Sequence, residues 1–288
     1  MKVAPRGRAV ALLLLCTSAC GWGHSVQMLR ESRPFLRRHA MSVAAETPAG
    51  KIHLQRGGNQ NLYELQFSYC REHFTAESRF SEAPPGTEGG VEDQLRIAAR
   101  ANEPPAHPEE EPNLMSLRLR PGIPLEIRLA TGSGELEADL TALSVKRLVL
   151  HGGAGVLHLL FKAGNPLDLE QMKVVAGTGA VRLEGLGWGS VTSLQFYGGA
   201  GPAVLDFSGP GPEEAAAFVD PGTGGVEMVF PKDLGVEISG AGVDPGLPPE
   251  GFVKGSKTWV SSNFASAPRH LVLVLEQGGA DLRFQWRP

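Results

Sequence analysis

Cysteine is nearly absent from this chain of 288 residues: there are three, and one of them, Cys16, falls in an N-terminal apolar run. No CxxC pair and no His-Cys cluster occurs, which argues against a structural zinc site. Aromatic residues are also scarce, at 7%, with three Tyr and four Trp. A sugar-binding platform of stacked rings is hard to assemble from so few. Neither sign of charge dominates, 27 basic against 31 acidic residues, and no basic face stands out for nucleic acid. Long hydrophobic runs are missing too. The longest near the start, Ala9–Leu15, is far too short to cross a bilayer as a helix.

Signatures of chemistry fail in the same way. Gly251–Thr258 reads GFVKGSKT, which places Ser256 between Gly255 and Lys257 and throws a Walker lysine out of register. No βαβ pattern surrounds any glycine pair, and no GxSxG elbow occurs. Asp206, Asp244 and Asp281 follow glycines, but at spacings far from the nine-residue period of a calcium β-roll. His151 and His158 flank one glycine hinge without a third metal ligand. Glu135 and Glu137 lie two apart on a strand pattern, hence on one face, but no cleft is evident around them. No catalytic residue, cofactor or metal is expected.

The N-terminus has the form of an export signal. Lys2, Arg6 and Arg8 precede the apolar run, and Thr17-Ser18-Ala19-Cys20 supplies small residues before a cysteine. That ending resembles a bacterial lipobox, so residues 1–20 are read as a signal peptide with Cys20 as the lipid attachment site; the alternative is ordinary cleavage nearby, which gives a secreted protein. With Cys20 so used, Cys70 is alone and reads as a small buried residue. Residues 21–50 carry Arg30, Arg33, Arg37 and Arg38 and end in AETPAG. They are expected to form a flexible tether, with a short basic helix near Met28–Met41.

What the chain has in abundance is glycine, 37 residues, together with 22 prolines. Without a G-X-Y period, and with apolar runs between them, these point to many short strands and turns. Over 51–113 the pattern is irregular: Ile52–Leu54, Asn61–Tyr69, His73–Phe80 and Gln94–Ala101 read as strands, separated by polar loops. From Leu114 to the end it becomes a repeat. GxG hinges recur at TGSG, GGAG, AGTG, GGAG and PGTG, and their second glycines are Gly134, Gly155, Gly179, Gly201 and Gly224, at steps of 21, 24, 22 and 23 residues. Gly242 and Gly279 continue the series less regularly. Each hinge leads into a strand of four to six residues, then a turn, then a second strand such as Val145–Leu150, Met172–Val175, Val191–Phe196 or Val236–Ile238. Glycine suits a tight corner stacked on another corner, because it tolerates positive φ and close backbone approach. One such repeat cannot bury its own apolar face, whereas stacked neighbours complete a core. An all-β solenoid of Gly-cornered repeats of about 22 residues over 51–288 follows.

The run NLMSLRLRPGIPLEIRLATGSGELEADLTALSVKRLVLHGGAGVLHL resembles the bacterial toast-rack family, related to LiaF-like cell-wall-active antibiotic response proteins and to GIN-domain adhesin heads. The closing segment is similar as well: Phe264–Ala267, an apolar strand Leu271–Leu275, then Gly278-Gly279-Ala280-Asp281-Leu282. Gly209-Pro210-Gly211-Pro212 is expected to interrupt one rung. The resemblance implies a toast-rack solenoid with a non-enzymatic role in envelope-stress sensing or adhesion-like interaction. Its partner would be an envelope protein, a lipid or a cell-wall polymer. A polysaccharide-binding or polysaccharide-acting β-helix is the opposing reading; it requires clustered acids with Arg or Lys on one outer face across neighbouring rungs.

Lipid attachment has a direct readout. Cys20→Ser should move the protein from the membrane to the soluble fraction on ultracentrifugation, and persistent membrane association would refute anchoring at Cys20.

Overall fold

Apolar and polar residues alternate along each strand, so each strand has one face to hide. In the computed structural model, which describes residues 10–14, 25–36, 40–83, 92–102, 113–244, 247–278 and 281–288, those faces meet between two sheets. The N-terminal strands are β1 (Val10–Leu14), β2 (Val26–Pro34), β3 (Met41–Thr47), β4 (Lys51–Arg56), β5 (Asn61–Cys70), β6 (Phe74–Ser81), β7 (Asp93–Ala101) and β8 (Leu114–Leu119). Strand pairs follow: β9 (Pro124–Thr131) with β10 (Glu135–Asp139), β11 (Ser144–His151) with β12 (Leu157–Leu160), and β13 (Gln171–Val175) with β14 (Val181–Glu184). Two more pairs are β15 (Ser193–Tyr197) with β16 (Ala203–Asp206) and β17 (Glu214–Asp220) with β18 (Val226–Pro231). The chain closes with β19 (Leu234–Ser239), β20 (Phe252–Lys254), β21 (Trp259–Ser261), β22 (Arg269–Leu275) and β23 (Leu282–Arg287). One 3-10 turn, Phe264–Ser266, is the single helical element among the described residues.

The first sheet has eleven strands in the order β1-β2-β5-β8-β4-β10-β12-β14-β16-β18-β23. The second has twelve, in the order β20-β21-β19-β22-β17-β15-β13-β11-β9-β3-β7-β6. A rung is one strand of the second sheet, a glycine corner, and one strand of the first. Rungs stack in parallel register, with Leu148 beside Ile127 and Met172, and Leu159 beside Ala138 and Leu183. Leu125, Ile127 and Leu129 point inward from β9 and meet Leu136 and Ala138 of β10, all buried. Each such leucine contributes about 1.5–3 kcal/mol on burial.

The corners explain the glycines. The backbone N–H of Ala154 donates to the carbonyl of Gly132 at 2.7 Å, that of Thr178 to Gly153 at 3.0 Å, and that of Ala200 to Gly177 at 3.0 Å. A Cβ on Gly155 would overlap the carbonyl oxygen of Gly134, and one on Gly153 would overlap that of Gly132. The same clash repeats from Gly134 onto Gly50, Gly179 onto Gly155, Gly201 onto Gly179 and Gly224 onto Gly201. Close approach is thus the requirement at Gly155; positive φ, the other property anticipated, is not found there.

Several expectations need correction. The tether at 21–50 is largely structured, and no basic helix spans 28–41: Val26–Pro34 and Met41–Thr47 are strands. Met41, Val43 and Ala45 are buried, and β3 pairs with β9 on one side and β7 on the other. The first rung therefore starts at Met41, ten residues before the expected boundary at Lys51, with Pro48 and Gly50 standing in for the two glycines of its corner. Its alternation is carried by Ala and Met and is masked by flanking arginines. Tyr63, fully buried, donates its hydroxyl to Glu31 of β2, and Arg33 stacks 4.0 Å over the Phe80 ring. Residues 21–24 and 37–39 lie outside the described residues. Val10–Leu14, inside the expected signal peptide, pairs antiparallel with β2.

Ladder order also departs from chain order at both ends. The β7–β8 rung lies outside β3–β4, so the chain steps over a rung between β8 and β9. Near the C-terminus β19 is laid down beyond a gap that β22 and β23 later fill, so 114–288 is not one unbroken series. Gly209-Pro210-Gly211-Pro212 does not interrupt its rung. It makes the turn between β16 and β17, with φ of +114° at Gly209 and +59° at Gly211, and both strands keep their parallel partners.

Corner stacking predicts a position-dependent glycine effect. Gly155→Val should lower stability by more than about 1 kcal/mol, whereas Gly164→Ala, where a Cβ meets nothing within 4 Å, should stay within about 0.5 kcal/mol. Equal melting temperatures for the two variants would contradict this.

Candidate functional site

Four neighbouring strands of the first sheet, β4, β10, β12 and β14, run parallel and in register. Period-2 alternation sends their polar residues to the outer face. Register then aligns them across the strands: Lys51 beside Glu135, and His53, Glu137, His158 and Arg182 in one row. Lys51 Nζ sits 2.9 Å from Glu137 Oε2 and 3.2 Å from Glu135 Oε2. Arg182 reaches Glu184 at 3.1 Å, and His158 Nε2 lies 3.6 Å from the other oxygen of the same carboxylate. A shallow depression of about 240 Å³ opens here, lined by Lys51, Glu135, Leu136, Glu137, Val156 and His158.

Electrostatics decide what this cluster can do. The hydrogen bond from Lys51 holds the Glu137 carboxyl below the usual range, outweighing the opposing effect of burial. Glu137 in turn raises the Lys51 ammonium above its ordinary value, with Glu135 adding to the effect. A glycosidase acid needs the reverse, a carboxyl kept protonated near neutral pH. The paired carboxylates noted in the sequence do share a face, but Lys51 keeps Glu137 in the form that accepts hydrogen bonds rather than donates protons. The depression is equipped to hold a polar ligand by charge and hydrogen bonding.

The other singled-out residues are scattered. His151 is on β11 of the second sheet and His158 on β12 of the first, so the glycine corner separates them. Among the described residues no group of three His, Cys, Asp or Glu is placed to hold a metal. Asp206 accepts from the backbone N–H of Ser208 at 2.9 Å and lies 3.5 Å from Arg287. Cys70 is buried and unbridged, and burial pushes its thiol up, as for an inert structural cysteine. Trp188 is exposed at the turn between β14 and β15, against Gly209. Gly134, Gly155, Gly179, Gly201 and Gly224 stand in one column. Gly242 does not join it: a Cβ there would meet Leu275 and Glu276 instead. Gly279 and Cys20 lie outside the described residues.

Lys51 was not anticipated as a site residue. Its partner Glu137 is remote in sequence, and nothing local signals that β4 and β10 are neighbours. On the opposite outer face, Tyr197 and Phe218 stand with ring centroids 5.5 Å apart, Lys173 Nζ is 5.2 Å from the Tyr197 ring centroid, and Val272 and Val274 are exposed beside them.

The family profile described as the N-terminal domain of toast_rack, DUF2154, matches residues 37–184. No curated protein matches the chain. Among solved structures, a candidate cell adhesion protein from Clostridium sporogenes aligns at 18% identity and a TM-score of 0.42, over 90% of this chain and 99% of that one. A candidate adhesin from Bacteroides fragilis aligns at 9% identity and a TM-score of 0.36, over 89% and 96%.

The Lys51–Glu137 pair should titrate visibly. A depressed carboxyl contributes stability that is present above the free glutamate value of about 4.3 and is lost as pH falls through its folded value. Lys51→Met should therefore raise the Glu137 midpoint in a carboxyl-carbon NMR titration. It should cost about 0.5 kcal/mol at pH 7, since the pair is half exposed, and nothing measurable once Glu137 is protonated. An unmoved Glu137 midpoint would show that Lys51 does not hold it.

Proposed function

Because the chain belongs to the toast_rack family, we propose that it is a non-enzymatic interaction module of the bacterial cell envelope. In this reading residues 1–20 direct export, Cys20 carries the lipid that retains the protein at the membrane, and the solenoid presents a rigid face to its partner. The role is adhesion-like contact or envelope-stress sensing, and the partner is an envelope protein, a lipid or a cell-wall polymer. One observation carries the binding assignment: charged groups held at fixed register across β4, β10, β12 and β14, with Lys51 keeping Glu135 and Glu137 paired. Rigid strands fix those groups in place, so little side-chain entropy is left to lose on binding.

The opposing reading, a polysaccharide-acting β-helix, has one observation in its favour. Acids accompanied by Lys and Arg do gather on one outer face across neighbouring rungs, as such an enzyme requires. Binding of a polymer fits that face; cleavage does not, since Glu137 is depressed rather than raised and no Phe, Tyr or Trp is among the described residues lining the depression.

Chemical crosslinking in intact envelopes followed by pull-down tests the proposal. The wild-type chain should recover a partner that a Lys51→Glu, Glu137→Lys, Arg182→Glu variant of unchanged melting temperature loses. Equal recovery by both would remove the site. Release of reducing sugar from cell-wall polymer by the wild type but not by Glu137→Gln would replace the binding role with an enzymatic one.

A further inference from the structure

The outer face of the second sheet is held in the same register as the first, and its middle row runs straight across the strands. From β6 inward that row reads Arg79, Arg96, Ala44, Arg128, Val149, Lys173, Gln195, Phe218 and Val274, each directly beside the next. Arg96 and Arg128 are exposed and Lys173 is half-buried. Neighbouring strands lie about 4.8 Å apart, so Arg96, Arg128 and Lys173 place a cation at every second strand, at intervals of about 9.6 Å. The uncharged Ala44 and Val149 occupy the places between. Beyond Lys173 the row turns neutral at Gln195 and apolar at Phe218 and Val274, so the cationic stretch is bounded.

These charges are not neutralised within the molecule. Beside the row, Arg147 is taken by Glu126 at 3.1 Å and Lys146 by Glu170 at 3.4 Å. Glu77 accepts from Arg79 and from Arg100. The side chains of Arg96 and Arg128, by contrast, enter no ion pair or hydrogen bond among the described residues, and Lys173 has the Tyr197 ring, 5.2 Å away. Glu46, on the same face of β3, leaves the balance positive. Arg96 also stands directly opposite Arg79, and like charges so placed are destabilising. A row that costs stability and is left unpaired is suited to neutralisation by an anionic partner.

We infer that this row binds an extended acidic polysaccharide with a carboxylate on every second sugar, laid across the strands so that its carboxylates meet Arg96, Arg128 and Lys173. In a glycan linked through equatorial oxygens, each pyranose ring advances the chain by close to one strand spacing, and alternate rings present the same edge. The ligand's charges therefore keep step with the row. Guanidinium groups match planar carboxylates two hydrogen bonds at a time. An acidic peptide is out of step, because an extended chain returns side chains to one face at intervals of about 6.8 Å. A lipid surface has no fixed charge spacing for a rigid row to match. Recognition here comes from spaced charge and not from a platform of rings, which the few aromatics do not supply. No residue is shared with the Lys51–Glu137 cluster of the first sheet, so the two faces stand or fall separately.

Calorimetric titration of the full chain with hyaluronan hexasaccharide, in which every second sugar is a uronic acid, tests this. Binding should be measurable at low salt and weaken as salt rises. The same oligosaccharide with its carboxyls reduced to alcohols should not bind, and equal binding of it overturns the proposal. Arg128→Gln should weaken binding about fivefold. A second variant moves one charge by one strand at constant net charge: Arg128→Val combined with Val149→Arg. It should lose binding at least as fully as Arg128→Gln; binding equal to the wild type would show that spacing is not read, and the proposal falls. No binding of the hexasaccharide at low salt overturns it as well. So does equal or tighter binding of an oligoglutamate or of phosphatidylglycerol vesicles, which would assign the row to an acidic peptide or a membrane surface.

Discussion

Backbone lying directly on backbone at the glycine corners is the constraint on which the rest of this structure depends. Parallel strands on two sheets can stay in register only if each connection between them rises by one strand spacing per turn. At Gly132-Ser133-Gly134, Gly153-Ala154-Gly155 and Gly177-Thr178-Gly179, the N–H of the middle residue donates to a carbonyl one rung below, that of Pro48, Gly132 and Gly153 in turn. Any side chain at the flanking glycines would push the rungs apart. Core packing then follows, because leucines held at equal spacing meet across the two sheets in repeating layers.

The same register makes the surface to which binding is assigned in the proposal. A row such as His53, Glu137, His158 and Arg182 takes one residue from each of four strands that are separated along the chain, and only the ladder makes them neighbours. Glu137 pairs with Lys51, and His158 and Arg182 with Glu184, all on rigid strands. Those strands fix the geometry of the row, and Lys51 holds the Glu137 carboxyl below its usual range. The ends of the ladder obey different rules from its middle. Interior strands satisfy their backbone groups on both sides, while terminal strands must be capped, shortened or paired with something else. The chain ends its second sheet with the short β20–β21 hairpin, whose Phe252 packs on Phe284 and Trp286 of β23.

Much of the fold was legible in the residues. The 21–24-residue step of the GxG hinges marked the rungs, and alternation marked β11, β13 and β15 to within a residue or two. Less legible was the first rung, because TPAG at 47–50 is a degenerate corner in which Pro48 replaces the first glycine of the hinge, and Ala and Met replace the leucines of later rungs. The candidate site was half visible. Glu135 and Glu137 could be placed on one face from their spacing, but Lys51 could not be joined to them.

Local physics accounts for that division. Strand identity and corner position depend on side-chain periodicity and on where a Cβ can be tolerated, and both are written in adjacent residues. By itself the sequence therefore determined an all-β chain of stacked, glycine-cornered rungs. Which rung lies beside which is set by pairing free energy between distant segments, and a parallel strand carries no mark of its neighbour. Tertiary structure alone decided that β3–β4 sits between β7–β8 and β9–β10, that β22–β23 fills a place skipped earlier, and hence which charges share a face.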